Sequence, residues 1–332
     1  MTKILPINTD TPNVLRGPSV GIKGEMRAVL LNPDGSIAQD NGWQPNKILD
    51  LGLTYMGMES FWSYGHVGSS NAAVVTTQTG LQSHITGGYS SNRTAIDIST
   101  KATAPNWESY NIYKYRFDPG VGTGTIREFG IGHQTANSLT TRVLVSPDMV
   151  KSSIQTLDIY YKLTVYPDLT TYSGTIDMIE DGFTVPYNVI ARGQNYGHYE
   201  TRTMNLRLSK LSGNIDRRFM DGNIGATVNA YPAGTTAGGF PNYLGTGYIE
   251  TGPYGQAFRI GVTDSAYKDL YISGTLDTGN ISSGLGIRSV YMDWDIGYGW
   301  GVQYNRVSDG GRIQKDNTKI IQMNYRFTWT RL

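Results

Sequence analysis

Tyr161-Lys162-Leu163-Thr164-Val165 and Tyr325-Arg326-Phe327-Thr328-Trp329 share one pattern: aromatic, cation, apolar, threonine, apolar. The two stretches lie close to half of the 332-residue length apart. The alternation continues backwards in register, with Leu157 and Ile159 matching Ile321 and Met323. A strict period of two sends one set of side chains into a core and the other to water, which marks a half-buried β-strand. Two such strands, each closing one half of the chain, predict an all-β protein of two tandem β-sandwich domains.

Composition points the same way. Hydrophobic residues make up 39% and charged residues 17%, and the balance is taken by 41 Gly, 23 Tyr and many Ser, Thr and Asn. A polar, weakly charged chain rich in turn formers favours many short strands over helices. The 11% of aromatic residues and the net charge of +1 argue against disorder. No Lys/Arg block supplies a stripe that could track phosphates, so nucleic acid is not an expected partner. With no cysteine, disulfides, thiolate zinc sites and thiol nucleophiles are excluded. Neither a signal-type apolar core within Met1–Val20 nor an apolar run long enough for a membrane-spanning helix is present, so membrane insertion is not expected.

Along the chain, residues 1–18 read as an extended N-terminal arm held out of helix by Pro6, Pro12 and Pro18. The first domain is expected over 19–168. It opens with a strand at Gly21–Leu31, the turn Asn32-Pro33-Asp34-Gly35 and a returning strand. One short helix follows, capped by Asn46, with Ile48, Leu49, Gly52, Leu53 and Met56 along one side and Gly57 as its stop, plugging an open end of the sandwich. Residues 68–108 read as loops with short strands. Further strands are expected at Ser109–Phe117, Thr123–Gly132, Thr140–Ser146 and Ser153–Tyr166. Pro167–Gly174 reads as a linker to a second domain over 175–332, with strands at Thr203–Leu211, Gln256–Val262, Asp269–Leu276 and Val290–Ile296. Between the first two of these, Asn229–Gly255 reads as an exposed contact loop.

Candidate chemistry is sparse. His66, His84, His133 and His198 show no short metal-binding spacing and read as surface or loop residues. Asp293 and Asp295 flank Trp294 and would share one strand face about 6.5–7 Å apart. That spacing allows a cation site or an acid/base pair acting on a sugar; the alternation Met292, Trp294, Ile296 is equally met by a solvated strand face. Asp177, Glu180 and Asp181 read as a charged turn before Gly182. Gly120–Gly124 and Gly297–Gly301 fit turns or bulges rather than phosphate loops. No cofactor or metal is implied. The tyrosines carry more weight, because Tyr offers large contact area at low entropy cost. Tyr160 and Tyr166 fall on the polar face of their strand, and Tyr231, Tyr243, Tyr248 and Tyr254 recur in the Gly-rich loop. These six are the interaction candidates, against a plain role in edge packing.

The order of elements resembles that of virion structural proteins of tailed bacteriophages, in particular tail-associated, fibre-like proteins. The resemblance rests on the arm, the turn Asn32-Pro33-Asp34-Gly35 and the segment Asn46-Lys47-Ile48-Leu49-Asp50-Leu51-Gly52-Leu53. Ile126-Arg127-Glu128-Phe129-Gly130-Ile131-Gly132, Thr141-Arg142-Val143-Leu144-Val145 and the closing strand complete it. It covers about residues 18–166 and, through the last strand, the C-terminus; residues 175–315 carry no matching element. It implies a non-enzymatic jelly-roll or immunoglobulin-like sandwich protein located in the virion. Such a protein would be a homo-oligomer bound to other virion proteins, with a host-surface glycan or receptor as its candidate ligand. The arm would be its anchor. Capsid decoration, a head fibre and a carbohydrate-binding receptor module are the alternatives.

Overall fold

The computed structural model describes residues 2–4, 16–56, 62–89, 94–101, 108–167, 170–195, 216–220, 223–224, 243–246, 248–251, 258–259, 265–274, 286–294, 298–314 and 319–332. Its first half runs β1 (Thr2–Ile4), β2 (Arg16–Leu31), β3 (Ile37–Ile48), helix α1 (Asp50–Thr54), β4 (Tyr64–Gly68), β5 (His84–Tyr89), β6 (Thr94–Lys101), β7 (Glu108–Phe117), β8 (Gly124–Gly132), β9 (Leu139–Lys151) and β10 (Thr156–Pro167). Then follow β11 (Tyr172–Glu180), β12 (Phe183–Asn195), β13 (Asp216–Met220), β14 (Tyr243–Thr246), β15 (Tyr248–Thr251), β16 (Phe258–Arg259), β17 (Ser265–Gly274), β18 (Ser289–Trp294), β19 (Tyr298–Arg306) and β20 (Lys319–Arg331). Among the described residues the protein is all-β with one short helix, as its alternation predicts.

The strands form a 14-stranded and a 6-stranded sheet, antiparallel except where β20 runs parallel to β1 and β2. Strand β2 organises the larger sheet. One of its edges pairs with β10 from Val20 to Leu31. The other is shared, β20 taking Arg16–Ile22 and β3 taking Gly24–Leu31. At its far end β3 leaves β2 and pairs with β9 through Lys47 and Ile48. That step carries the ladder into a second layer, β9-β8-β4-β5. The core lies between the layers: Tyr115, Phe117, Ile159 and Tyr161 from one meet Val67, Phe129, Ile131 and Val143 from the other. Tyr115 and Phe129 have ring centroids 5.9 Å apart. Each such fully buried side chain contributes roughly 1.5–3 kcal/mol.

In the 6-stranded sheet, order β11-β12-β19-β18-β13-β14, the same period operates. Tyr187, Val189 and Ala191 on β12 face Tyr304 and Val302 on β19, and all are buried. Strand β20 comes from the end of the second half yet lies in the sheet of the first. The arm begins with β1, also paired to β20. One sheet therefore draws on both halves of the sequence.

Four local expectations are corrected. Asn46 does not cap the helix; it sits buried in β3 opposite Gly24. The helix starts at Asp50 without a side-chain cap, because the N–H groups of Leu49 and Asp50 bond to the carbonyls of Thr140 and Thr76. Glycines Gly299 and Gly301 lie inside strand β19 rather than in a turn, opposite Gln194 and Arg192. Within the expected loop Asn229–Gly255, residues 243–246 and 248–251 are strands. The first pairs with β13 and the second with β17, so adjacent strands enter different sheets. Glu180 is not in a charged turn but buried at the end of β11; only Asp181 and Gly182, both at positive φ, make the turn. Gly120, Gly122 and Gly124 do have positive φ, as a turn requires. The expected strand Thr203–Leu211 and the expected stop Gly57 lie outside the described residues.

Candidate functional site

Between β4 and β5 the chain runs from Ser69 to Ser83 without forming a strand. The ends of this loop meet: the Ser69 N–H donates to the Ser83 carbonyl at 2.8 Å and the two hydroxyls are 2.9 Å apart. Ends that close, with a compact path between them, define an Ω-type loop, a form that frequently carries function. It lies over the outer face of the β9-β8-β4 layer, whose residues there would otherwise meet water. Glycines make the room. A Cβ on Gly130 would sit 3.2 Å from the Leu81 side chain, and one on Gly68 2.5 Å from the Glu128 carboxylate.

Beneath the loop, Glu128 of β8 and Arg142 of β9 form an ion pair 2.7 Å long in which both side chains are 0% exposed. Glu128 is opposite Leu144, so Arg142 is its diagonal neighbour on the same face. Each partner spends its remaining bonding capacity on the loop. The Glu128 carboxylate accepts the N–H groups of Ser83 at 2.8 Å, Gln82 at 3.2 Å and Ser70 at 3.4 Å. The Arg142 guanidinium donates to the carbonyls of Ala72 at 2.9 Å and Ala73 at 3.2 Å, and to the Gln78 side-chain oxygen at 2.9 Å. Further bonds tie Thr76 to the helix start and Thr79 to Leu139. Asn71, Val75, Thr77 and Gln82 are left exposed on top.

At the neck of the loop, three of the four histidines come together. Two register shifts in the β4–β5 pairing, at Gly65/His66 and Val67/Gly68, turn the His66 ring toward β5. Its Nδ1 lies 3.4 Å from Nε2 of the exposed His84, and its Nε2 lies 2.9 Å from the His133 carbonyl. Burial holds the His66 imidazole below its usual value; the bond to the His133 carbonyl opposes this and the His84 ring adds to it.

The sequence candidates are placed as follows. Tyr160 and Tyr166 lie half-buried on β10, on the face that carries Asp158 and Lys162. That face is less open than a solvated face would be, because Asp158 and Thr164 on it are buried. Tyr160 is opposite both Arg27 and Lys114; burial and Asp158 raise its hydroxyl, against Arg116 and Arg27. Tyr243 and Tyr248 belong to β14 and β15, in separate sheets. Asp293 lies on β18 opposite Asp216 and Gly299. Tyr231, Tyr254, Asp295 and His198 fall outside the described residues. The sequence reading overlooked the Glu128–Arg142 pair and the loop it holds. The available signal was charge inside two apolar strands: Arg127 and Glu128 within Ile126–Gly132, and Arg142 within Thr141–Val145.

Comparison of the chain with protein-family models, with curated proteins and with solved structures returned no match. Among the described residues no helix is long and apolar enough to cross a membrane.

Proposed function

We propose that the chain is a non-enzymatic structural component of a tailed-bacteriophage virion, tail-associated and present in several copies, and that loop 69–83 is one of its contact surfaces. The observation that carries the contact surface is the anchoring of this loop from beneath by Glu128 and Arg142. A loop ordered before it binds loses less conformational entropy on association. The assignment to a phage particle is supported by the resemblance over residues 18–166, and an all-β fold is in keeping with it. Strand β1 would be the fixed root of the anchoring arm, and Tyr160 and Tyr166 would serve subunit contact.

One observation favours a second reading. The exposed rim of the loop carries no charge and sets the polar Asn71, Thr77, Thr79 and Gln82 beside the apolar Ala72, Ala73 and Val75, a mixture suited to the hydroxyls and C–H faces of a sugar. A carbohydrate-binding receptor-recognition module fits that rim.

The test is immuno-electron microscopy of particles released by lysis from cells that encode the chain, labelled with antibody raised against it. Label on tails is the expected result. Label on heads would move the protein to capsid decoration or a head fibre, and particles without label would overturn the virion reading. Retention of the purified full chain on host polysaccharide, lost when Asn71 and Thr77 are replaced by bulky residues, would establish the second reading.

A further inference from the structure

We propose that His66 and His84 form a clasp across the neck of loop 69–83 that tolerates one added proton but not two, so that acid releases the neck. Its consequence for binding rests on the reading of that loop as a contact surface; the clasp itself does not.

The His133 carbonyl fixes where the hydrogens sit. A carbonyl only accepts, and this one lies 2.9 Å from His66 Nε2, so that nitrogen carries a hydrogen. In the neutral ring Nδ1 is then a bare acceptor. His84 Nε2, 3.4 Å away, is its donor in a long hydrogen bond. A charged His84 keeps the same N–H and makes the same bond, now assisted by its charge. A proton on His66 instead fills Nδ1 and turns it into a donor. Once both rings are charged, two N–H groups oppose each other and two like charges share one contact. The doubly protonated pair has no bonded arrangement.

The fold decides which ring gives way. His66 is buried and stands opposite two glycines, Gly87 of β5 and Gly130 of β8. A Cβ at Gly87 would lie 1.9 Å from its Nδ1, so the ring rests directly on the β5 backbone. Its bond to the His133 carbonyl survives in either charge state. His84, at the first position of β5, is exposed and can turn into water. Repulsion therefore expels His84 and leaves His66 in place.

The neighbours do not offset the second charge. Glu128 of β8 is opposite Gly68 and is spent on Arg142 and on the N–H groups of the loop. His133 turns its carbonyl to His66 and its ring to Tyr64, with centroids 6.4 Å apart. The titratable group that acts on His66 is His84, across the neck. Burial, aided by His84 and opposed by the His133 carbonyl, keeps the second proton out until the pH falls below the 6.5 of a free imidazole. His84 directly follows Ser83, whose N–H is held by Glu128 and whose carbonyl accepts the Ser69 N–H. Expelling His84 removes the ring contact that closes the neck and exposes these two bonds to water.

The experiment follows the full chain by imidazole nitrogen NMR and amide exchange from about pH 7.5 to about pH 5. At the upper pH, His66 should carry its hydrogen on Nε2. Exchange of the Ser69 and Ser83 amides, corrected for its intrinsic pH dependence, should rise about tenfold as His66 takes its proton. His84→Ala, at an exposed position that leaves the core untouched, should raise the pH at which His66 titrates and abolish the acid response of both amides. A hydrogen on His66 Nδ1 at the upper pH would overturn the proposal. So would amide exchange unchanged by acid, or an acid response that survives His84→Ala. A neck that opens in acid while the chain stays attached to particles as before would keep the clasp and remove the contact role of loop 69–83.

Discussion

Glu128 and Glu180 are both strand carboxylates paired to an arginine, yet the two pairs are finished differently. Glu128 and Arg142 are wholly sealed, and what they do not give each other goes to loop 69–83, to its backbone and to the Gln78 side chain. Glu180, 10% exposed, reaches across β12 to Arg306, 21% exposed, with the Tyr187 hydroxyl donating to the carboxylate between them. Burial and the neighbouring carboxylate drive that hydroxyl well above its ordinary value, so it stays protonated as a donor. Water can reach the second pair and stand in for a lost partner; it cannot reach the first. The difference shows that the worth of a buried ion pair depends on what is orphaned when it is broken.

The largest effect expected follows from breaking the sealed pair. Arg142→Met should cost about 3–5 kcal/mol in denaturant unfolding, because it strands a carboxylate in a dry site. Amide exchange across 69–83 should accelerate at the same time. A sharper version replaces both partners by apolar residues. Many isolated buried pairs tolerate that exchange. Here it should remain strongly destabilising, since the N–H groups of Ser70, Gln82 and Ser83 would lose their acceptor. Recovery of wild-type stability in the double variant would erase the distinction between the two sites.

Arg306→Met should be milder, roughly 1–3 kcal/mol by the same measurement, as the residual charge can be hydrated. Tyr187→Phe should cost about 1–2 kcal/mol through its lost bond to Glu180. A pH effect comes next. The folded chain holds His66 below the 6.5 of the free side chain, so the unfolded state binds a proton that the folded state refuses. Stability should be full above about pH 6.5 and decline as the pH falls from there toward the folded value. The drop should flatten in His66→Gln, as read from urea midpoints. Least affected will be the Arg27–Asp40 pair on the outer face. There Arg27→Ala should change stability by less than about 1 kcal/mol, and the remainder should vanish in high salt.

Much of the strand pattern was legible because period two survives every change of partner. β7, β8 and β10 were expected at nearly their observed bounds, with Tyr113, Tyr115 and Phe117 on one face as read. Period two specifies a face, however, and neither a neighbour nor a direction. The two matched strands, β10 and β20, prove to flank the same strand β2 on opposite edges, one antiparallel and one parallel. Strand β19 was hidden by its glycines, which usually signal turns and here sit in a ladder. The candidate site was less legible still. The Glu128–Arg142 contact exists only through the register that sets Glu128 against Leu144, and its burial only through a loop folded back over it. The histidines meet across bulges that no local motif announces.

The placement of β20 has a consequence for the order in which the molecule can be completed. A ribosome delivers Arg16–Ile22 about 310 residues (326 − 16) before their parallel partners Arg326–Arg331. During synthesis that edge of β2 stands as an unsatisfied template, open to any passing strand, including the same segment of a neighbouring nascent chain. Strand β20 also brings Trp329, whose indole N–H donates to the Leu53 carbonyl of the helix, and Arg331, which pairs with Asp50. Synthesis of β20 therefore closes the sheet edge and latches the helix in a single late event.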